Sequence, residues 1–575
     1  IMAVGLVAVV FIVAMFRAES WLSTLQFALV LTVAAIPVAL PPVLSVTMAV
    51  GATALAKKEA IVSKLVAIEE MAGMDILCAD KTGTITRNEL TLEQVVPFEG
   101  FTDRDVLLFA TLASREEDQD PIDNAILAKT KPELGEAVSS YRVSQYRPFD
   151  PVIKRTEGSV ADAAGNRFKV SKGAPQVILD LVADKDAVRG RVDEVVDEFG
   201  TKGYRALGVA RTDGQGKWQY VGLIPLLDPP RADSAETIAA AQAMGVSVKM
   251  VTGDHATIAR EIASRVHLGK NIRAASAFMD KSDREAQRVV ESADGFAQVF
   301  PEHKYHIVEL LQAKGHIVGM TGDGVNDAPA LRKADVGIAV AGATDAAKSA
   351  AHIVFTKPGL SVIIDALKES RKIFQRMNSY SIYRITETIR VLFFVAASIV
   401  IFNLYPVTAI MIVLLAIFND APIMAIAYDR VRYGNEPESW NMRIILVLAT
   451  FLGLMGVLES FGVLYIGDVI FRLKREVLQT FIFLKLVVSG HLTIFLARVR
   501  GPFWSLAPGA LLFWSAVATK ALATLLVVYG WYVTPISWPL AGFIWAEALV
   551  VFVIIDLIKV RLYRLLDHTG IMFHR

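Results

Sequence analysis

The stretch Leu77–Leu90, LCADKTGTITRNEL, decides how this chain is read. An apolar run, DILCA at residues 75–79, ends in an acid, Asp80, and breaks at once into Lys, Thr and Gly. A buried strand that delivers a carboxylate to its own carboxyl end, followed by a tight turn, is how open α/β sheets present a reactive group to a ligand. Asp80 is therefore the first candidate nucleophile. Cys78 beside it reads as a small apolar residue packed in the strand. As the only cysteine of the chain it excludes an internal disulfide.

Outward from Asp80, four more strand-like runs close on Gly, Pro or Asp: VSVKMVTGD from Val246, AQVFP from Ala297, HIVGMTGDG from His316 and DVGIAV from Asp335. With DILCAD they make one α/β unit. Only one of the five lies before residue 100, so a second α/β domain at about 88–225 is expected to be inserted into the first. The expected division is membrane helices at 1–56, one α/β domain at 57–87 and 226–365 around an inserted domain at 88–225, and membrane helices at 366–575.

The membrane assignment rests on composition and span length. Of 575 residues 54% are hydrophobic and 20% charged, and the mean hydropathy is +0.45. A bilayer core needs about 20 apolar residues per helix. The chain opens in an apolar stub, IMAVGLVAVVFIVAMF, without the pattern of a signal peptide, and a span follows at about Leu25–Ala56. Six more lie near 380–402, 406–427, 443–466, 477–497, 508–530 and 539–560. Basic connections such as KESRKIFQR and DRVRYGNEPESWNMR alternate with NLYPV and YGWYVTPISW, which lack Lys and Arg. That puts the soluble middle on the cytoplasmic side, with GDVIFRLKREVLQ as an exception. A formal net charge of +1 gives no sign of a nucleic-acid partner.

Three polar loops at strand ends converge if the strands share a parallel sheet: DKTGT from Asp80, TGD at Thr252–Gly253–Asp254, and TGDGVND from Thr321 to Asp327. Such a crevice holds a carboxylate nucleophile, hydroxyls for phosphoryl oxygens, and Asp323 and Asp327 for a hard cation, for which magnesium is suited. Lys304 in FPEHKY supplies a positive charge to offset a transferring phosphoryl group. The reaction this points to is formation of an aspartyl phosphate.

The motifs DKTGTIT, KGAP, DPPR, TGD and GDGVNDAPAL, in this order, resemble those of the P-type cation-transporting ATPases. The resemblance implies an α-helical transmembrane bundle plus a cytoplasmic α/β haloacid dehalogenase-like phosphorylation domain with an inserted α/β nucleotide-binding domain. It implies phosphorylation of Asp80 by ATP, with Lys81 and Thr82 in the same loop, magnesium on Asp80, Asp323 and Asp327, and a cell-membrane location. Dehalogenase-type phosphatases carry a second Asp two residues after the nucleophile; Thr82 stands there, so the phosphoenzyme should persist. In the inserted region Phe149 offers an aromatic face for adenine, Lys154 a charge, Lys172 and Gly173 a place for close backbone approach, and Arg205 a further cation. The acidic run 114–120 reads as a solvated loop, and LLDPPR, with Asp228 and Arg231, as a hinge strand. The family's actuator domain and its first two membrane helices have no counterpart in this sequence. As supplied, the chain is expected to phosphorylate without efficient turnover.

The transported cation is sought in the spans. AAIPVALPPVLSV interrupts its helix at Pro37, Pro41 and Pro42 and offers neither carboxylate nor Cys. FNDAPIMAI places Asn419 and Asp420 well inside a span, where an ionisable residue is costly. Counting from the turn near 403–406, Asp420 and Arg390 both lie roughly 20 Å in at 1.5 Å per residue, so they are expected to pair and to bind or release a proton. Glu387, three residues before Arg390, and Arg384 are the alternative partners. With KIFQRMNSY these segments look most like the plasma-membrane proton pumps, which implies that ATP drives proton export. Another cation, or a membrane-anchored phosphatase, is the alternative. Glu459, Lys485, His491, Lys520 and Glu547 read as snorkelling or interhelical contacts.

Overall fold

Parallel strands buried on both faces need unbroken apolar sequence, and Ile76–Asp80 is buried at all five positions. It is the second strand of an eight-stranded sheet in the computed structural model, which describes residues 40–568 apart from 119 and 151, with positions 5 and 12 besides. In chain order the strands are β1 (Ala60–Val62), β2 (Ile76–Asp80), β3 (Ser247–Val251), β4 (Ile272–Ala274), β5 (Gly295–Ala297), β6 (Val318–Gly322), β7 (Val336–Ala339) and β8 (Ile353–Phe355). Their order across the sheet is β1-β8-β7-β6-β2-β3-β5-β4. All pair in parallel except β1 with β8. The later strands run outward from β2 on both sides, so its carboxyl end lies where the strand order reverses, the place where open α/β sheets bind ligands. Register aligns Asp80 with Val251 and Cys78 with Met320.

Between Ile85 and β3 the chain builds a separate antiparallel sheet of seven strands. Five of them run 218–227, 205–212, 167–173, 155–161 and 142–150 across it. Arg155–Ala161 alternates buried and part-buried residues, as in a sheet with one covered face. Phe109, Val170, Val209 and Ile224 fill one core against it. Both sheets belong to one unit, Lys58–Ala366 with Asn435–Pro437.

The remaining described residues form a helical unit. Its helices are α1 (Leu40–Ala56), α2 (Ser361–Phe402), α3 (Ala409–Ala425), α4 (Met442–Tyr465), α5 (Arg475–Ala497), α6 (Ala510–Tyr529) and α7 (Trp538–His568). With their short extensions, α2 to α7 are, among the described residues, the six helices long and apolar enough to cross a membrane. They coincide with the six spans expected after residue 375, except that α2 begins well before its apolar part. Of the span expected at 25–56 the structure describes only α1, and the opening stub and Pro37 lie outside the described residues. α5 is the most enclosed, with 94% of its apolar window buried.

Candidate functional site

Asp80 leaves β2 at the sheet's carboxyl edge, 8% exposed. Its backbone N–H donates to Thr321 Oγ1 of β6 at 2.9 Å, which ties the two strand ends together. Lys304, from the helix Pro301–Gln312, reaches between two acids, 3.0 Å from Asp80 Oδ2 and 2.7 Å from Asp327 Oδ1. The other Asp327 oxygen accepts from the backbone N–H groups of Asp323 and Gly324 at 3.1 and 3.0 Å. Carboxylate oxygens of Asp80, Asp323 and Asp327 all fall within 4.8 Å of one another, and among the described residues no other trio of potential metal ligands does so. Burial, with Asp327 and Asp323 alongside, pushes the Asp80 carboxyl up to about 6 against the pull of Lys304. Burial and Asp327 raise Asp323 as well. Burial works against the charge of Lys304, but Asp80 and Asp327 outweigh it and hold the ammonium above its ordinary value.

The turn after Asp80 needs a left-handed residue, and Gly83 supplies it at φ +71°; a Cβ there would lie 3.0 Å from Asp323 Oδ2. Lys81 points away from the trio. Its ammonium is buried between Asp228 Oδ2 at 3.3 Å and Asp254 Oδ2 at 3.2 Å. Asp228 also accepts from Thr86 Oγ1 and the Asn88 N–H, and Arg231 donates to the Gly83 carbonyl. The LLDPPR segment thus fastens the turn that presents Asp80. Thr252 Oγ1 accepts from the Asp254 N–H at 3.1 Å. Gly253 between them is exposed, and Thr82 is part-buried. Arg205 donates through Nε and a terminal nitrogen to Asp254 Oδ1 at 3.0 and 2.5 Å. Burial would raise Asp254, yet Arg205 and Lys81 hold it below the usual carboxylate range.

On the antiparallel sheet Phe149 is 55% exposed. Lys154 is exposed and takes a left-handed backbone at φ +50°. Its carbonyl accepts from the Ala174 N–H, which brings it beside Gly173. Lys172 is 3% exposed, and its ammonium lies 2.7 Å from Asp123 Oδ1 while donating to the Ala113 carbonyl. Burial lowers Lys172 against the support of Asp123. Arg205 stands apart from Lys172, four residues along the strand from Val209, the register partner of Lys172. Asp123 is the residue that sequence reasoning missed. It lies just past the acidic run 114–120, at a helix start whose Asp120 caps the chain, so it reads as capping chemistry. Its one distinguishing signal is the apolar repeat that begins beside it, Ile122–Ile126.

In the helical unit the expected pairing of Asp420 with Arg390 is not made. Arg390, 1% exposed, donates to Glu387 Oε2 and to the Leu486 carbonyl, both at 2.8 Å. Residues three apart on a helix share a face, so Glu387 claims the guanidinium without any help from a neighbouring helix. Asp420 is exposed on α3, and the cation whose field reaches it is Arg384. Asn419 is 5% exposed, and its Oδ1 accepts no hydrogen bond.

A family model for haloacid dehalogenase-like hydrolases matches residues 74–335. A Methanocaldococcus jannaschii protein provisionally named a cation-transporting ATPase is 54% identical over 573 residues, covering 98% of this chain and 71% of that protein. The plasma membrane ATPase 1 of Saccharomyces cerevisiae is 42% identical over 551 residues, covering 92% of this chain and 60% of its own length. The plasma membrane ATPase of Neurospora crassa is 42% identical over 554 residues, with 92% and 60% covered. The chain thus spans about three-fifths of the fungal relatives. A dehalogenase-type sheet carrying Asp80, six membrane helices and these identities give one conclusion: the chain is a multi-pass membrane protein and belongs to the P-type cation-transporting ATPases.

Proposed function

We propose that the full-length protein uses ATP to export protons across the plasma membrane through a phosphorylated Asp80, with its catalytic unit on the cytoplasmic side. The observation that carries the catalytic half is the Asp80–Asp323–Asp327 trio around Lys304. One Asp80 oxygen attacks the terminal phosphorus of ATP. The bond to the bridging oxygen breaks, and its electron pair leaves on ADP. Lys304 offsets charge on the phosphoryl oxygens, while Thr82, the Thr252 hydroxyl and the Gly253 backbone are assigned to bind them. Lys81 and Asp254 hold the loop. Three hard carboxylates this close fit magnesium, with Asp80, Asp323 and Asp327 as its holders. Bound there, it neutralises phosphoryl charge. Phe149, Lys154, Lys172, Gly173 and Arg205 are assigned to the nucleotide. For Arg205 this requires release from Asp254.

The proton reading is supported by the likeness to the fungal plasma membrane ATPases. One carboxyl inside a span suffices for a proton, and Asp420 supplies it. Asp420 is assigned that role, with Arg384 as counter-cation in place of Arg390, and Asn419 beside it. Pro37 belongs to the same proposed path.

The test is proton flux in vesicles of the full-length protein. Asp420→Asn should abolish flux while Asp80 still takes label from γ-labelled ATP; Asp80→Asn should lose both. Phosphoenzyme controlled by micromolar calcium and indifferent to pH would show that the cation is not the proton.

A further inference from the structure

A second set of charges lies in the helical unit, unused by Asp420. Glu387 and Arg390 on α2, Glu459 on α4, Lys485 on α5 and Glu547 on α7 come from four helices. Counted from the helix ends on one side (Phe402, Ile470, Arg475 and Trp538), all five lie roughly 14–22 Å deep at 1.5 Å per residue. All five therefore lie at similar depth, near mid-membrane.

The contacts form two ion pairs and a remainder. Lys485 Nζ is 3.2 Å from Glu459 Oε2 and donates to Ser460 Oγ at 2.5 Å and the Gly456 carbonyl at 3.4 Å. Ser489 donates to the other Glu459 oxygen at 2.7 Å. Arg390 pairs with Glu387. A Cβ on Gly456 would stand 2.6 Å from Arg390 Cδ, and one on Gly490 would stand 2.8 Å from Arg390 Nη2 and 3.2 Å from Glu387 Oε1. The two glycines therefore seat one pair against the helices of the other. Glu547 lies in the fields of both Glu459 and Lys485. Its Oε2 has no hydrogen-bond partner, nor do Glu387 Oε1 and the Nε and Nη1 of Arg390, although Glu387 is 3% and Arg390 1% exposed.

Three carboxyls thus stand with two cations, Arg390 and Lys485. The remaining polar groups nearby do not restore the balance. His491 on α5 contacts the Phe418 carbonyl through Nε2 and the Thr519 hydroxyl through Nδ1, and it is not among the charges whose field reaches Glu547. Lys520 on α6 places its ammonium over the rings of Phe495 and Trp545. Trp545 is two residues from Glu547, so the two leave α7 roughly 200° apart and Lys520 lies on another face. Tyr383 on α2 carries no charge at neutral pH. An uncompensated charge in the bilayer interior is costly, and the one change that cancels it without moving a side chain is a proton on the carboxyl that has no cation of its own.

We infer that Glu547 is a proton-binding group of the membrane unit, beside the Glu459–Lys485 pair and distinct from Asp420. The step is an acid–base one: an O–H bond forms on the Glu547 carboxylate, and the set passes from one net negative charge to none. Lys485 decides which of its two carboxyls stays ionised. The inference stands on the charge count and does not need the transported ion to be a proton.

The test is infrared spectroscopy of the full-length protein in lipid at neutral pH, following the carbonyl stretch of protonated carboxyls and its shift in D₂O. Glu547→Gln should remove one carboxyl's share of that band, and Asp420→Asn should leave that share in place. A Glu547→Gln spectrum identical to the wild type overturns the inference. Should this variant not assemble, Lys485→Met decides, because removing the cation leaves Glu459 and Glu547 to be neutralised by two protons. A band stronger by one further carboxyl's share supports the site, and an unchanged band refutes it. A protein that moves another cation still yields these bands, so flux and spectra fail independently.

Discussion

Asp80 sits where folding opposes its ionisation, since burial and two neighbouring acids raise its carboxyl to about 6. The sign of the consequence follows from linkage. Between the unfolded value near 3.8 and about 6 the folded state binds more protons, so stability falls as pH rises through that window. Asp80→Asn removes the penalty and keeps an acceptor for Lys304. In the absence of magnesium it should stabilise the full-length protein at pH 7 by about 1–3 kcal/mol, seen as a higher melting temperature that merges with the wild type below pH 4. Lys304→Met leaves Asp80 and Asp327 facing each other without their shared cation. Phosphoenzyme formation should drop about 10²–10³-fold in rapid-quench labelling. Asp123→Asn strands the buried ammonium of Lys172, and breaking such a pair costs about 3–5 kcal/mol. Denaturant unfolding followed by Trp218, on the same sheet, should show the loss.

At the scale of elements, close approach is what the glycines permit. In the turn Lys81–Ile85, Gly83→Ala forces a left-handed Ala against Asp323, a strain of about 1–2 kcal/mol. Labelling of Asp80 should weaken while nucleotide binding is kept. Gly490→Ala is a sharper case, because Ala is the better helix former and propensity alone predicts a gain. Its Cβ would meet Arg390 and Glu387 across the α2–α5 contact, so the variant should instead lose about 1–3 kcal/mol through overpacking. Thermal unfolding in detergent gives the sign. The elements themselves were mostly readable. Unbroken apolar runs closed by Gly, Pro or Asp are strands β2, β3, β6 and β7, whereas the run AQVFP is strand only at Ala297, where β5 ends; the six spans stand out by length. For Arg390 the alternatives were readable, Glu387 among them, but the choice was not, because equal depth in two helices says nothing about which way a side chain turns.

For the whole molecule, alternation of six spans puts the segments 429–441 and 530–537 on opposite sides of the membrane. The native thiol makes no background, since Cys78 is 0% exposed and burial pushes it up to about 12. Ser439→Cys and Tyr532→Cys, both at exposed positions, should therefore react with an impermeant maleimide from opposite faces of sealed vesicles; labelling from one face alone would refute the topology. Hydropathy and motif order, read without coordinates, determine that this chain alternates membrane and α/β segments and that its reactive acids close strands, because burial in lipid or in a parallel sheet demands continuous apolar sequence. Only the tertiary structure decides which charges meet. Asp80 and Asp327 are brought together by sheet order, Lys81 is claimed by Asp228 and Asp254, Lys172 by Asp123, and Arg390 by Glu387. A charge shows in sequence as a residue type, whereas its partner is set by distance and direction, and those exist only once the helices and strands have packed.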